Sequence, residues 1–363
     1  MDFFRYLSEI VISAGIINGV LFSILIDAGK KGRSESRGLL KVLLIIFSLI
    51  VLRIRYIHPF LTEEFGIPFY VSGPFVFLIG PVFFLYLRVL VTPNDSLSPS
   101  DSNHFIPFIT YLILFIPSYI LGWNSDYAYI LRNFVGPPWV FLVIQLIFYL
   151  NRIQKLVTSH SKDLVDGYSN VEGLDLSWMK LIVRIQIIVL IFVAVISPTL
   201  VHGINVSTYF TVSCVFFTFI QFFVALKAMQ QRNLIDWEPA SGGSDDQQSV
   251  DFNQTKRLLL EFMEKERPYL DPDLTLVGLA GRLGVGRNQL SQVINTGLGD
   301  NFYNFINQYR IEEVKRLIKQ DSGKKYTIMS LANDAGFNSK STFNQIFKKL
   351  TGTTPSSYRD GLN

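Results

Sequence analysis

Two short runs of polar residues near the C-terminus have the chemistry of a surface that reads nucleic acid. Arg287, Asn288, Ser291, Gln292 and Asn295 follow one another at alternating steps of one and three, which gathers them on one face of a helix. A second run, Ser339, Lys340, Ser341, Asn344, Gln345 and Lys348, has the same kind of spacing. An amide offers a donor and an acceptor together, as the edge of adenine requires. Hydroxyls serve either role, and cations suit guanine and phosphate. A polar face is also what any solvated helix presents, so these residues decide nothing until the elements that hold them are considered.

Those elements are written twice. Leu279-Ala280, ahead of Gly284-Val285, reappears as Leu331-Ala332 ahead of Gly336-Phe337, each position displaced by 52 residues. Each copy reads as a short helix, a glycine turn and a second helix, the layout of a helix-turn-helix unit, over 274–297 and 327–350. Leu276, Leu279, Ala280 and Leu283 form the buried stripe of the first helix, and Leu290, Val293 and Ile294 that of the second. The second copy supplies Ile328, Leu331, Ala332, Ala335 and Phe337, then Phe343, Ile346 and Phe347, with Ser339 as an N-cap. Between them, Phe302, Phe305, Ile306, Tyr309, Val314 and Leu317 mark a connecting helix of about 17 residues. To enter successive major grooves on one DNA face, two such units must sit ~34 Å apart. Residues 252–266 form an amphipathic segment expected to pack on the module that follows.

The segment 267–359 resembles the bacterial AraC/XylS-type DNA-binding domain. The likeness is carried by NFYNFINQYRIEEVKRLI at 301–318 and GFNSKSTFNQIFKKLTGTTPSSYR at 336–359. It implies a module of two helix-turn-helix units reading consecutive major grooves. By position it implies base contacts at Asn288, Ser291 and Gln292, and at Lys340, Ser341, Asn344 and Gln345. Arg310 and Arg359 also match, as structural salt-bridge or phosphate positions. The chain as a whole is similar to proteins in which a seven-span membrane domain is fused to this module.

The expected fold class is all-α: a seven-helix transmembrane domain over 1–230, a flexible linker over 231–251, and a cytoplasmic helical domain over 252–363. Hydrophobic residues make up 49% of the chain and concentrate before Gln230. Seven apolar stretches approach the ~20 residues needed to cross a bilayer: 9–28, 39–57, 68–91, 105–122, 134–150, 181–201 and 206–227. Lys30, Lys31, Arg33, Arg37 and Lys41 place the first connection in the cytoplasm, and alternation puts Arg152, Lys155, Lys162, Lys227 and Arg232 on the same side. This topology leaves the C-terminal domain in the cytoplasm, beneath an inner membrane. That domain holds 16 Lys/Arg against 11 Asp/Glu, whereas the preceding residues hold 17 against 18. A basic domain suits an anionic polymer.

Enzymatic chemistry is not expected. The chain has no Walker loop, HExxH or nucleophile elbow. His58, His104, His160 and His202 are scattered, and Cys214 has no cysteine partner. No cofactor or metal is implied. Asn18, Gln145, Gln186 and Gln221 within the apolar stretches suggest interhelical hydrogen bonds. Gly15 and Gly19 have the spacing for close helix approach, within one chain or between two. Gly73-Pro74 and Gly80-Pro81 suggest a bent third span. The expected partners are double-stranded DNA and the lipid bilayer, with RNA polymerase and a second copy as further candidates and the ligand unknown. The rival reading is a membrane transporter or channel whose helical tail is regulatory.

Overall fold

A computed structural model describes residues 2–28, 34–65, 74–92, 96–121, 125–130, 138–171, 174, 176, 178–182, 184–185, 206–230, 252–321 and 323–362. These residues are helical and hold no strand beyond one isolated bridge. The chain divides into two units. Unit 1 comprises Met1–Thr158 and Leu176–Trp237, and unit 2 comprises Ser159–Asp175 and Glu238–Asn363.

In unit 1 the elements are α1 (Asp2–Ala28), α2 (Ser34–Leu52), α3 (His58–Phe65), α4 (Val76–Val91), α5 (Ile106–Leu121), α6 (Asp126–Ile130), the first part of α7 (Pro138–Gly167) and α8 (Val206–Gln230). A π turn, Arg53–Ile57, follows α2. Helices α1, α2, α4 and α8 share a core that includes Ile12, Leu43, Leu44, Phe47, Val82, Leu85 and Val224.

Polar side chains join these helices from inside. Gln221 Nε2 donates to the Leu44 carbonyl at 3.1 Å and to Ser48 Oγ at 2.9 Å. Ser48 Oγ donates to the Gly15 carbonyl at 3.2 Å, and Gln145 Nε2 to the Phe77 carbonyl at 2.9 Å. Of the four amides, Gln145 and Gln221 thus make the interhelical bonds that the sequence suggested. Gln186 lies outside the described residues. Gly15 and Gly19 pack within the chain. A Cβ on Gly15 would lie 2.1 Å from Thr218 Oγ1, and one on Gly19 would lie 2.1 Å from Ser48 Oγ. Pro81 sits inside the continuous helix α4, and Gly80 lies against the Tyr149 ring.

Among the described residues three helices are long and apolar enough to cross a membrane: Tyr6–Ile26, Phe141–Gly167 and Thr211–Met229. The expectation was seven; the four other stretches do not form such helices among the described residues. Helix α2 begins with Glu35, Arg37 and Lys41 and gives way to the π turn after Leu52. Helices α4 and α5 are 16 residues long, short of the ~20 a bilayer core demands. Most of the candidate span 181–201 lies outside the described residues.

Unit 2 joins the end of α7 and the residues after it to α9 (Phe252–Lys265), α10 (Leu276–Leu283), α11 (Arg287–Gln292), α12 (Phe302–Gln320), α13 (Ile328–Asp334), α14 (Lys340–Thr351) and α15 (Pro355–Asp360). A π turn, Val293–Gly297, extends α11. Two apolar cores lie along α12. Its first half contributes Phe302, Phe305 and Ile306 to a core with Leu276, Leu279, Leu290 and Val293. Its second half contributes Ile311, Val314 and Ile318 to a core with Leu331, Phe337, Phe343 and Phe347. Leu259 and Met263 of α9 join the first core, as the amphipathic segment 252–266 led one to expect. The linker 231–251 lies outside the described residues.

Candidate nucleic-acid interface

The duplication reaches down to individual hydrogen bonds. Thr275 caps α10 by accepting from the Gly278 N–H, and Thr327, 52 residues on, caps α13 by accepting from the Ser330 N–H. Each cap satisfies an amide that the first helical turn leaves without a partner. Both helices then end in the same motif. The Val285 N–H donates to the Ala280 carbonyl at 3.1 Å and the Gly284 N–H to Gly281 at 3.3 Å. In the second copy Phe337 donates to Ala332 at 2.9 Å and Gly336 to Asn333 at 2.9 Å. This pair of bonds is a Schellman termination, which requires a left-handed residue at the glycine. Gly284 has φ 68° and Gly336 has φ 93°. Gly336 is constrained twice, because a Cβ there would lie 2.4 Å from the Tyr269 carbonyl oxygen.

The helix after each glycine carries the polar run. On α11 and its π turn, Asn288, Gln292 and Asn295 are exposed, while Arg287 and Ser291 are half-buried. Asn295 Nδ2 reaches Ser291 Oγ at 3.3 Å. On α14, Lys340, Ser341, Asn344, Gln345 and Lys348 are all exposed. Ser339 differs from its neighbours. It is buried, and its Oγ accepts from the Thr342 N–H at 3.3 Å as the N-cap of α14. Its side chain positions the helix. Lys349, four residues beyond Gln345, is exposed at the end of the same helix. Helical spacing would have found it. The opposite faces are fastened down. Leu290, Val293 and Ile294 are buried on the first helix, and Phe343, Ile346 and Phe347 on the second.

Behind these helices, α12 sets the frame. Its 19 residues span about 28 Å at 1.5 Å per residue. Asn301 caps it by accepting from the Asn304 N–H. At its middle Arg310 is almost wholly buried, and burial pulls its guanidinium down to about 10. Arg310 Nε donates to the Tyr269 carbonyl at 2.8 Å and Nη2 to the Asp271 carbonyl at 2.7 Å. These partners are carbonyl oxygens, so Arg310 is structural through backbone bonds in place of the expected salt bridge. Arg359 donates to the Tyr326 carbonyl at 3.0 Å. Glu313, on the next turn of α12, pairs with Arg316 at 2.5 Å. The hydrogen bond from Arg316 holds its carboxyl below the usual glutamate range.

One contributor was not visible in the sequence. Ser169 and Asn170, far upstream of the module, are buried within unit 2. Asn170 Nδ2 donates to Asn338 Oδ1 at 2.9 Å, at the turn that leads into α14. No local periodicity marks these two residues, and their partners lie more than a hundred positions away.

Comparison with known proteins agrees with this geometry. Residues 279–361 match the family described as a helix-turn-helix domain. Over 87 residues the chain is 34% identical to a protein of Staphylococcus aureus (strain COL) described as an uncharacterised HTH-type transcriptional regulator. That match takes in 24% of this chain but only 11% of the relative's length, so the similarity concerns one module. No solved structure matches the chain. The C-terminal part of the chain carries a helix-turn-helix domain.

Proposed function

We propose that this protein is a membrane-bound, sequence-specific DNA-binding transcription regulator of the AraC/XylS type. In this reading α10–α11 and α13–α14 are two helix-turn-helix units, and α11 and α14 are their recognition helices. The observation that carries it is the duplicated pair of helices, identical in N-cap, left-handed glycine and Schellman bonds, each presenting an exposed face that bears amides. Asn288, Ser291 and Gln292 would read one major groove. Lys340, Ser341, Asn344 and Gln345 would read the next, with Lys348 on phosphate.

Three apolar helices and the outward-facing side chains of unit 1 support a bilayer as its solvent. The basic first connection supports a cytoplasmic C-terminus under an inner membrane. A signal received in the membrane half would then alter DNA binding, with a second copy or RNA polymerase as the further partner.

The test uses the full chain in lipid nanodiscs. A random duplex pool is passed over it, and the retained duplexes are sequenced and footprinted. The expected result is an enriched motif with two protected major grooves about one helical turn apart. Retention of duplexes without any sequence preference would refute the reading. Solute uptake by vesicles holding the same chain, with no DNA selectivity, would favour a transporter.

A further inference from the structure

Residues 159–171, the last part of α7 and the turn that follows it, form part of unit 2 although the helix begins in unit 1. The seating is specific. Tyr168 forms an antiparallel bridge with Thr275, the cap of α10. Ser169 lies next to it, with its N–H 3.2 Å and its Oγ 2.7 Å from the Leu274 carbonyl. The Ser169 carbonyl accepts from Asn307 Nδ2 at 3.3 Å and from Arg310 Nη1 at 3.2 Å, which occupies both lone pairs. Ser169 Oγ accepts from Arg310 Nη2 at 3.0 Å. Asn170 then reaches Asn338. Three consecutive residues thus touch the first helix pair, the middle of the connecting helix and the second pair. Leu164 and His160 are buried on the same segment, and His160 Nε2 lies 3.2 Å from the Leu174 carbonyl.

The position of these contacts gives them their consequence. The two apolar cores along α12 are separate, and each closes around its own helix pair. Arg310 and Asn307 sit where one core gives way to the other. Unseating the segment would strip two hydrogen bonds from a buried guanidinium at this joint, a costly loss for a charged donor. Neither core would lose an apolar member to it. The halves would stay folded while their mutual setting loosened.

Resting on the DNA-reading assignment above, we infer that residues 159–171 are a regulatory strap. Seated, it holds the two helix pairs in the register that fits consecutive major grooves. Unseated, it leaves each pair to bind alone. The strap is covalently continuous, through α7, with residues 138–158 of unit 1. A rearrangement of the membrane half can therefore reach the DNA-reading helices without a separate signalling domain. By linkage, DNA that prefers the seated strap must itself favour seating.

The experiment uses the full chain in nanodiscs with Cys214→Ser, which leaves no other cysteine. Tyr168→Cys and Thr275→Cys are introduced together. An antiparallel bridge pair has Cα atoms about 4.5–5.5 Å apart, within reach of a disulfide. Thr275→Cys alone controls for the lost cap. The probe is a duplex selected by the wild-type chain. Ser169→Ala with Asn170→Ala should weaken its binding about tenfold, as loss of side-chain bonds to the module implies. The footprint should shrink to a single groove while circular dichroism stays unchanged. Oxidising the cysteine pair in that variant should restore affinity and both protected grooves. In the otherwise native chain, added duplex should raise the yield of cross-link, a readout that does not depend on the Ser169 and Asn170 substitutions. Equal cross-link yield with and without DNA, or a locked chain that binds no better than the released one, overturns the strap. A wild-type chain that selects no duplex refutes the DNA-reading assignment instead, so the two failures are distinguishable.

Discussion

Along α1 the exposed side chains include Tyr6, Ile10, Ile17 and Ile24, whereas along α14 they include Lys340, Ser341, Asn344, Gln345, Lys348 and Lys349, with Leu350 the apolar exception. The interiors do not divide in this way. Unit 1 buries Ser48, Gln145, Thr218 and Gln221 between helices, and unit 2 buries Thr255, Asn307, Arg310 and Glu313 beside cores that, like that of unit 1, are aliphatic and aromatic. The fastening differs too. Five helices of unit 2 begin on Thr275, Asn301, Thr327, Ser339 and Thr354, each accepting a hydrogen bond from a backbone amide of the first turn, while α11 begins at Gly286 with no side-chain cap. Helix α4 of unit 1 begins at Phe75 with no side-chain cap. In water a helix end must be capped or solvated and the apolar face hidden. In lipid the apolar face needs no cover, and helices are held by close approach and by polar groups turned inward. The contrast is what two solvents would produce in one chain.

The largest effects should come from exchanging the solvents' rules. Ile17 lies near the middle of the apolar stretch of α1 and is 63% exposed. Ile17→Lys should cost about 2.5–3.5 kcal/mol if the surroundings are hydrocarbon. The expected outcome is reduced insertion in a protease-protection assay. Leu350→Lys, on an exposed position of α14, should change the thermal stability of unit 2 by less than about 0.5 kcal/mol. Equal, small effects at both sites would mean that unit 1 faces water, and the comparison would fail.

Within unit 2 the comparison narrows to its two helix pairs. Gln292→Ala and Gln345→Ala should each weaken specific binding by about 1–3 kcal/mol, each relaxing preference at different bases. Lys348→Ala should lower affinity for every duplex and flatten the salt dependence. Competition binding against duplexes mutated at single positions separates these outcomes. Glutamine variants that keep wild-type preference at every base would remove both residues from the interface.

How far the sequence could be read follows the same division. The repeat of unit 2 was legible because its signals are local: Gly284 and Gly336 at turns, and apolar residues at helical spacing on either side. Ser339 was recognisable as a cap, but its burial came only from the structure, which packs the start of α14 against the turn before it. In unit 1 apolar content was plain and helix length was not. Nothing in the run 39–57 says that a π turn follows Leu52. Ser169 and Asn170 were invisible for a different reason. Three of their bonds use the backbone amide or carbonyl of Ser169, which any residue type possesses, and their partners are fixed by the tertiary fold alone.

The smallest effect concerns the joint between the two pairs. Glu313 is buried at its carboxylate, 2.5 Å from Arg316 and 3.8 Å from Arg267. The hydrogen bond from Arg316 depresses its pKa below that of the unfolded chain. A carboxylate shifted in this direction stabilises the fold above its unfolded pKa of about 4.3, and that contribution disappears as pH falls through the folded value. Arg316 is 41% exposed, so solvent screens the pair and the contribution should be no more than about 1 kcal/mol. Glu313→Gln should therefore lower the melting temperature of unit 2 slightly at pH 7, and by less at pH 3.5, where the native glutamate is itself partly protonated. Because Glu313 lies one turn from Arg310, the footprint should keep both grooves if the pair only stabilises α12. An undiminished loss at acid pH would show that Glu313 acts by packing alone, with no part played by its charge.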